Sequence, residues 1–165
     1  MKPNGSAFSP DENLIAISYE NGAIEIYESS TGTIRSSFMA PDGSNFKPAG
    51  IAFKTNNELV TGCGKSIQSF NAATGALIKN YFTLSGSNNP YMINFQLGDD
   101  GKTALLETRK TNGFASIVNL ETGNITSTIT NENNGFYFAG LVTGNRFVVT
   151  VDVNDITSVW DAASG

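Results

Sequence analysis

An all-β chain built from four similar units is predicted by three observations. A Thr/Ser-Gly pair recurs at Thr31-Gly32, Thr74-Gly75, Thr122-Gly123 and Ser164-Gly165, at intervals of 43, 48 and 42 residues. Before each pair lies a β-rich run that closes on a large apolar or aromatic residue: Ile24-Glu-Ile-Tyr27, Ile67-Gln-Ser-Phe70, Ile117-Val-Asn-Leu120 and Ile156-Thr-Ser-Val-Trp160. An earlier landmark keeps the same period, with Ala7-Phe8, Ala52-Phe53, Asn94-Phe95 and, more loosely, Gly140-Leu141. Two independent landmarks holding one period mark a repeat architecture.

Within each unit the apolar pattern has period 2, which belongs to strands rather than helices. The first strand of each unit carries Phe8, Phe53, Phe95 or Leu141. A second strand follows over residues 14–18, 59–62, 102–107 and 146–151. The third is the run before the Thr/Ser-Gly pair. A fourth, outer strand follows the pair over 33–38, 76–82 and 124–130, and the last unit stops without one. Turn residues punctuate the strands: Pro10-Asp-Glu-Asn13, Glu20-Asn-Gly22, Ser30-Thr-Gly32 and Pro41-Asp-Gly43. Asn-Gly and Asp-Gly supply the positive φ angles that short hairpins require. No amphipathic stretch is long enough for a helix.

Four short antiparallel strands at a period of about 45 residues are the pattern of β-propeller blades. A β-sandwich also has many short strands, but it would not repeat the same markers four times. The expected organisation is a single partial β-propeller over 1–165. Its four-stranded antiparallel blades lie at about 5–40, 46–85, 90–131 and 135–165, the last incomplete. Propellers of six to eight blades need roughly 240–340 residues at this period, so four units look short. Three readings stand open: a fragment of a longer protein, a ring completed by a second copy or another propeller chain at the open blade edge, and a self-contained four-bladed ring. Residues 1–4, with a proline among them, are expected to be too short to supply the missing outer strand, and a bare edge invites pairing.

Composition narrows the function. The 165 residues hold ten Lys+Arg against fifteen Asp+Glu, a net charge of −5, with 17 Gly and 19 Asn. An acidic chain is not expected to bind nucleic acid, whose backbone attracts proteins chiefly through cations. The absence of His removes the usual zinc sites and the Ser-His and Cys-His nucleophile pairs. A single Cys excludes an internal disulfide framework, and a cytoplasmic location is expected. The apolar runs are only a few residues long, so neither a membrane span nor a signal-peptide core is read.

The first unit, Ala7-Phe-Ser-Pro-Asp11, then Leu14-Ile-Ala-Ile-Ser18 and Asn21-Gly-Ala-Ile-Glu-Ile-Tyr27, resembles the WD-repeat family. It follows that family's progression from Phe-Ser-Pro-Asp through a strand to Asp-Gly-Thr-Ile and Trp-Asp. The fourth unit carries the dipeptide itself, Trp160-Asp161, whereas the second and third place Phe70 and Leu120 there. The family's Gly-His pair is absent throughout, and its tight-turn Asp is Asn21 in the first unit with no clear counterpart elsewhere. The buried His–Ser/Thr–Asp–Trp network of typical blades is therefore not expected to form, leaving cohesion to apolar packing between inner strands.

Several residues invite a functional reading. Thr61-Gly-Cys-Gly-Lys-Ser66 ends like a phosphate-binding loop, but position 59 is Leu and a strand follows where a helix is needed, so a hairpin turn is expected. Cys63 has no His to activate it, and Lys65 is its only nearby cation, so a half-buried structural thiol is expected. Asp99-Asp-Gly-Lys102 lacks the alternating ligands of a calcium loop and reads as a hairpin turn. Trp160, Tyr27 and Phe70 share one position and read first as packing residues. The triplets Asn4-Gly-Ser6 and Asn124-Ile-Thr126 fit a glycosylation pattern expected by chance in an Asn-rich chain. No metal, cofactor or catalytic residue is assigned.

The resemblance implies that loops between second and third strands form a partner-binding rim, and loops on rigid scaffolds carry function. Its candidate contacts are Tyr19, Glu20, Lys65, Arg109, Lys110, Asp152 and Asn154. Three functions are carried forward. The first is a non-catalytic protein–protein interaction scaffold within a larger protein or complex, with other proteins as partners. The second is a propeller module of an enzyme, which would show ionisable residues on the inner strands. Segments 5–8, 48–53, 91–95 and 136–141 hold little ionisable content, which disfavours acid–base catalysis. The third is an assembly subunit that completes a propeller with another chain.

Overall fold

The computed structural model describes residues 1–40, 47–85, 91–108, 114–130 and 136–165. These residues are all-β, with no helix among them, and form four antiparallel sheets. The chain divides into two compact units, Met1–Leu84 and Ser85–Gly165. In the first unit, sheet 1 runs in sequence order through β1 (Pro3–Phe8), β2 (Leu14–Tyr19), β3 (Ala23–Glu28) and β4 (Ile34–Met39). Sheet 2 repeats this with β5 (Pro48–Thr55), β6 (Glu58–Cys63), β7 (Ser66–Asn71) and β8 (Leu77–Thr83). In the second unit, sheet 3 comprises β9 (Met92–Leu97), β10 (Thr103–Thr108), β11 (Phe114–Asn119) and β12 (Asn124–Thr130). Sheet 4 comprises β13 (Phe136–Leu141), β14 (Phe147–Asp152) and β15 (Thr157–Asp161). Each sheet is an up-and-down meander, the topology of a propeller blade, and none closes on itself. The turn expected at Pro41-Asp-Gly43 lies outside the described residues.

The inner strand β1 begins at Pro3, earlier than the sequence suggests. Proline is tolerated at the first residue of an edge strand, and a register irregularity between Pro3 and Gly5 absorbs it. The Gly64-Lys65 pair is a two-residue hairpin loop closed by Cys63 and Ser66, and β7 continues as a strand, as expected for Thr61–Ser66. Cys63 is fully rather than half buried, because the side chains of its sheet face pack on sheet 1. Asp99 and Asp100 form a hairpin turn in which the Asp100 carboxylate accepts the backbone N–H of Lys102 and Thr103, each at 2.8 Å. Partial burial pushes that carboxyl upward, but these bonds and the Thr103 hydroxyl hold it below its ordinary range.

Side chains alternate between the two faces of every sheet. In the first unit Leu14, Ala16 and Ile26 of sheet 1 pack against Leu59, Cys63 and Ala72 of sheet 2. In the second, Leu105, Ala115 and Ile117 of sheet 3 pack against Ala139, Leu141 and Val148 of sheet 4. Apolar packing is not the whole of the cohesion, which corrects the sequence expectation. Each unit also stitches its sheets with hydrogen bonds at three levels. Inner strands are joined by Asn4 donating to the Pro48 carbonyl, and by Asn94 and Gln96 donating to the carbonyls of Ala139 and Leu141. The turns after the inner strands are joined where Asn56 accepts the Asp11 N–H and Asn145 accepts the Asp99 N–H, both at 3.1 Å. Outermost, Ser36 donates to the Ala72 carbonyl, and Ser127 to that of Ala162.

The Thr/Ser-Gly marker sits at this outer joint. Gly75 has φ +70°, a left-handed conformation that glycine adopts without strain. A Cβ there would lie 2.6 Å from the Phe38 ring of the preceding sheet's outer strand. Gly165, with φ +84°, lies in the same way under Thr128, whose carbonyl oxygen would be 3.1 Å from a Cβ. Gly32 has the same turn geometry, φ +69°, yet meets nothing within 4 Å.

The expectation that no blade network forms is also corrected in part. Trp160 donates its indole N–H to the Thr150 hydroxyl at 2.8 Å, and Asp152 occupies the following tight turn, accepting the N–H of Asn154 and Ile156. Sheet 4 therefore has both a Trp–Thr bond and a turn aspartate, neither of which requires a histidine.

Candidate functional site

The candidate site is the set of turns that join second to third strands. In sheet 1, Tyr19 ends β2 and is half-buried, and its hydroxyl donates to Glu25 at 2.6 Å. Tyr27 donates to the same carboxylate oxygen. The two hydroxyls hold the Glu25 carboxyl below its ordinary range, and the bond to Glu25 pushes the Tyr19 phenol well above its own. Glu20, the first residue of the turn, is exposed and pairs with Lys2 at 2.9 Å. Asn21 accepts the Ala23 N–H and shapes the hairpin.

In sheet 2, Lys65 forms the turn with Gly64, and its carbonyl accepts the Leu84 N–H at 2.8 Å. Pairing of Pro3 with Tyr19 and of Pro48 with Cys63 puts both turns at the same end of their sheets. The Asn4–Pro48 bond sets those ends side by side, so Tyr19, Glu20 and Lys65 share one end of the first unit. In the second unit, Arg109 and Lys110 lie outside the described residues. Asn154 is exposed in the turn after β14. Asp152 is buried, and its carboxylate shapes that turn from within.

The three matched aromatics have separate surroundings. Phe70 is 2% exposed and tilts against Phe38 with ring centroids 5.0 Å apart. Trp160 packs on the sheet 3–sheet 4 core, while Tyr27 stands half-buried on the Tyr19–Glu25 cluster. A further regularity escaped the sequence reading. Four residues before Gly75, Gly123 and Gly165, the side chains of Asn71, Asn119 and Asp161 each accept two backbone N–H groups of the turn. The Asn residues thus do the work of the Asp in Trp160-Asp161. Their signal was an Asn/Asp at fixed distance from the glycine, hidden by the abundance of Asn.

Among the described residues no group of three or more His, Cys, Asp or Glu is gathered closely enough to hold a metal ion. No helix among them is long and apolar enough to cross a membrane. One carboxylate, Glu107 of β10, is almost wholly buried. Burial raises its pKa, against a hydrogen bond from Asn94 that lowers it. Its folded pKa therefore exceeds the unfolded one, so its contribution is most favourable below the unfolded pKa and is lost as pH rises through the folded value. Glu107→Gln is expected to flatten this decline in thermal melts between mildly acidic and neutral pH. An unchanged slope would assign the decline to another group.

The blades place the chain among β-propeller-like repeat proteins. Residues 4–56, spanning sheet 1 and the inner strand of sheet 2, match the family model described as "Anaphase-promoting complex subunit 4 WD40 domain". That match supports the WD-repeat resemblance drawn from the motifs of the first unit. The chain is also similar to the structure titled "Crystal structure of the computationally designed Ika4 protein", with a TM-score of 0.70 and 15% identity. The likeness covers 96% of this chain and 90% of that one, and at this identity it is a likeness of fold. No curated protein matches the chain.

Proposed function

We propose that this chain is a non-catalytic protein–protein interaction scaffold that presents the turns between second and third strands to partner proteins within a larger protein or complex. The observation that carries this reading is the WD40 match over residues 4–56, whose description names a domain of a complex subunit. The rigidity of the blades supports it: side-chain bonds tie sheet 1 to sheet 2 and sheet 3 to sheet 4, so the turns of each unit project from a fixed frame. Partners are other proteins, the setting is the cytoplasm, and the contacts are Tyr19, Glu20, Lys65, Arg109, Lys110 and Asn154, with Asp152 shaping its turn. WD40 domains are generally scaffolds rather than catalysts, and the enzyme-module alternative is set aside on that ground.

Charge reversal at the turns tests the reading. Glu20 and Lys65 are not part of the buried core, so Glu20→Lys and Lys65→Glu are expected to leave the melting temperature within about 2 °C, the range of surface substitutions. Each should reduce recovery of a partner co-purified with the native chain by at least about tenfold, the loss of one good interface contact. Undiminished recovery with both folded variants would remove these turns from the interface.

A further inference from the structure

Charge in the first unit is sorted between the two ends of its strands. Among the described residues, Asp11, Glu12, Glu28 and Glu58 stand at the end that carries the β1–β2, β3–β4 and β5–β6 turns, with Arg35 and Lys54 against them. The end that carries the second-to-third-strand turns is the reverse: Lys2, Lys47 and Lys65 stand there against Glu20. Glu25 and Lys79 lie further along their strands, paired with Ile17 and Ser69. Backbone pairing brings the three lysines together. Lys2 lies beside the sheet 1 turn, where its carbonyl accepts the Glu20 N–H at 3.0 Å and its ammonium pairs with the Glu20 carboxylate at 2.9 Å. Lys47 immediately precedes Pro48, which pairs with Cys63 next to the Gly64-Lys65 turn of sheet 2. The Asn4–Pro48 bond sets the two turns side by side. The Lys2 bond holds the Glu20 carboxyl below its ordinary range, and the Lys47 charge acts on it in the same direction.

We infer that this end of the first unit docks a short acidic peptide segment of a partner protein, with Lys47 and Lys65 receiving its carboxylates. The inference rests on the turn-mediated scaffold reading proposed above and supplies the chemistry of the partner. Charge complementarity identifies the occupant. On a chain of net charge −5, a cationic end is the surface that attracts an acidic segment and repels a basic one. Among the described residues, Lys2 is paired with Glu20, whereas no salt bridge takes up Lys47 or Lys65. Glu20 serves the site by holding Lys2 in place. Glu20→Lys frees that ammonium and sets a second beside it, so the ordered pair is lost. The cationic end is only a few residues across, and the opposite end of the unit is acidic. It therefore suits a short segment rather than an extended polyanion such as a nucleic acid, whose binding needs many phosphate contacts.

The test is titration of the folded chain with a synthetic peptide of alternating glutamate and serine, followed by amide chemical shifts at low and at physiological ionic strength. Shifts are expected to gather at residues 20–22, 47 and 64–65 and to shrink as salt rises, because exposed charges are screened. Combining Lys47→Glu with Lys65→Glu should weaken binding by at least about tenfold. Combining Lys47→Arg with Lys65→Arg should retain it. If the glutamate pair fails to melt cooperatively, Lys47→Gln with Lys65→Gln takes its place. Shifts gathered elsewhere, equal binding of a glutamine–serine peptide, or undiminished binding by the glutamate pair overturns the inference. So does tighter binding of oligothymidylate of the same charge, which would make the end a nucleic-acid site. The partner-recovery experiment separates this inference from the scaffold reading. Recovery that falls in the Glu20→Lys and Lys65→Glu variants, yet responds neither to salt nor to the glutamate–serine peptide as competitor, keeps the turns as the interface and overturns the acidic segment alone.

Discussion

Gly75→Ala is expected to destabilise the first unit by about 3 kcal/mol, whereas Gly32→Ala costs only about 1 kcal/mol. The two glycines hold nearly the same left-handed backbone, φ +70° and +69°, so the conformational part of the penalty is shared. They differ in what lies outside the turn. At Gly75 a methyl group would stand 2.6 Å from the Phe38 ring, which is itself held against Phe70. At Gly32 it would meet nothing within 4 Å. Relief of the clash requires Phe38 to leave its place between the sheets, which lengthens the Ser36–Ala72 bond from the same strand. Urea unfolding of both variants measures the difference. Equal penalties would mean that the Thr/Ser-Gly turn is only a turn, with no part in joining sheets.

Trp160→Ala is expected to cost about 3 kcal/mol, the lower end for loss of a large aromatic, because the indole is only partly buried. Trp160→Phe should cost about 1 kcal/mol for a different reason. The phenyl ring keeps much of the packing on the sheet 3–sheet 4 core but leaves the buried Thr150 hydroxyl without its 2.8 Å donor. Thr150→Val in the Trp160→Phe background should then recover part of that loss, since no polar group is left unpaired. Denaturant melts of the single and double variants read this directly. Full additivity would show that the Trp160–Thr150 bond contributes nothing.

Much of this architecture is legible in the residues because its determinants are local. A left-handed glycine every forty-odd residues, and apolar alternation between turns, depend on neighbours within one hairpin. The joints between sheets do not. Asn94 and Gln96 find their partners 45 residues away, and nothing in a polar side chain on an inner strand announces such a partner. The missing His also masks the Trp160–Thr150 bond, because two members of the four-membered network suffice to form it. Asn71 and Asn119 were obscured by composition, because one Asn among nineteen carries little signal until its distance from a glycine is noticed. In the sequence, Tyr19, Glu20 and Lys65 share one rim only through the family resemblance. The Asn4–Pro48 bond is what places their turns together in the first unit.

The claim that partners are taken by turns of a rigid scaffold is tested most directly by amide hydrogen exchange on the chain with and without a co-purified partner. Exchange reports local opening segment by segment. Slowed exchange is expected over residues 20–22, 64–65 and 153–156, with the strands of all four sheets unchanged. Protection confined to strands or to the sheet faces, with those turns exchanging as in the free chain, would contradict it.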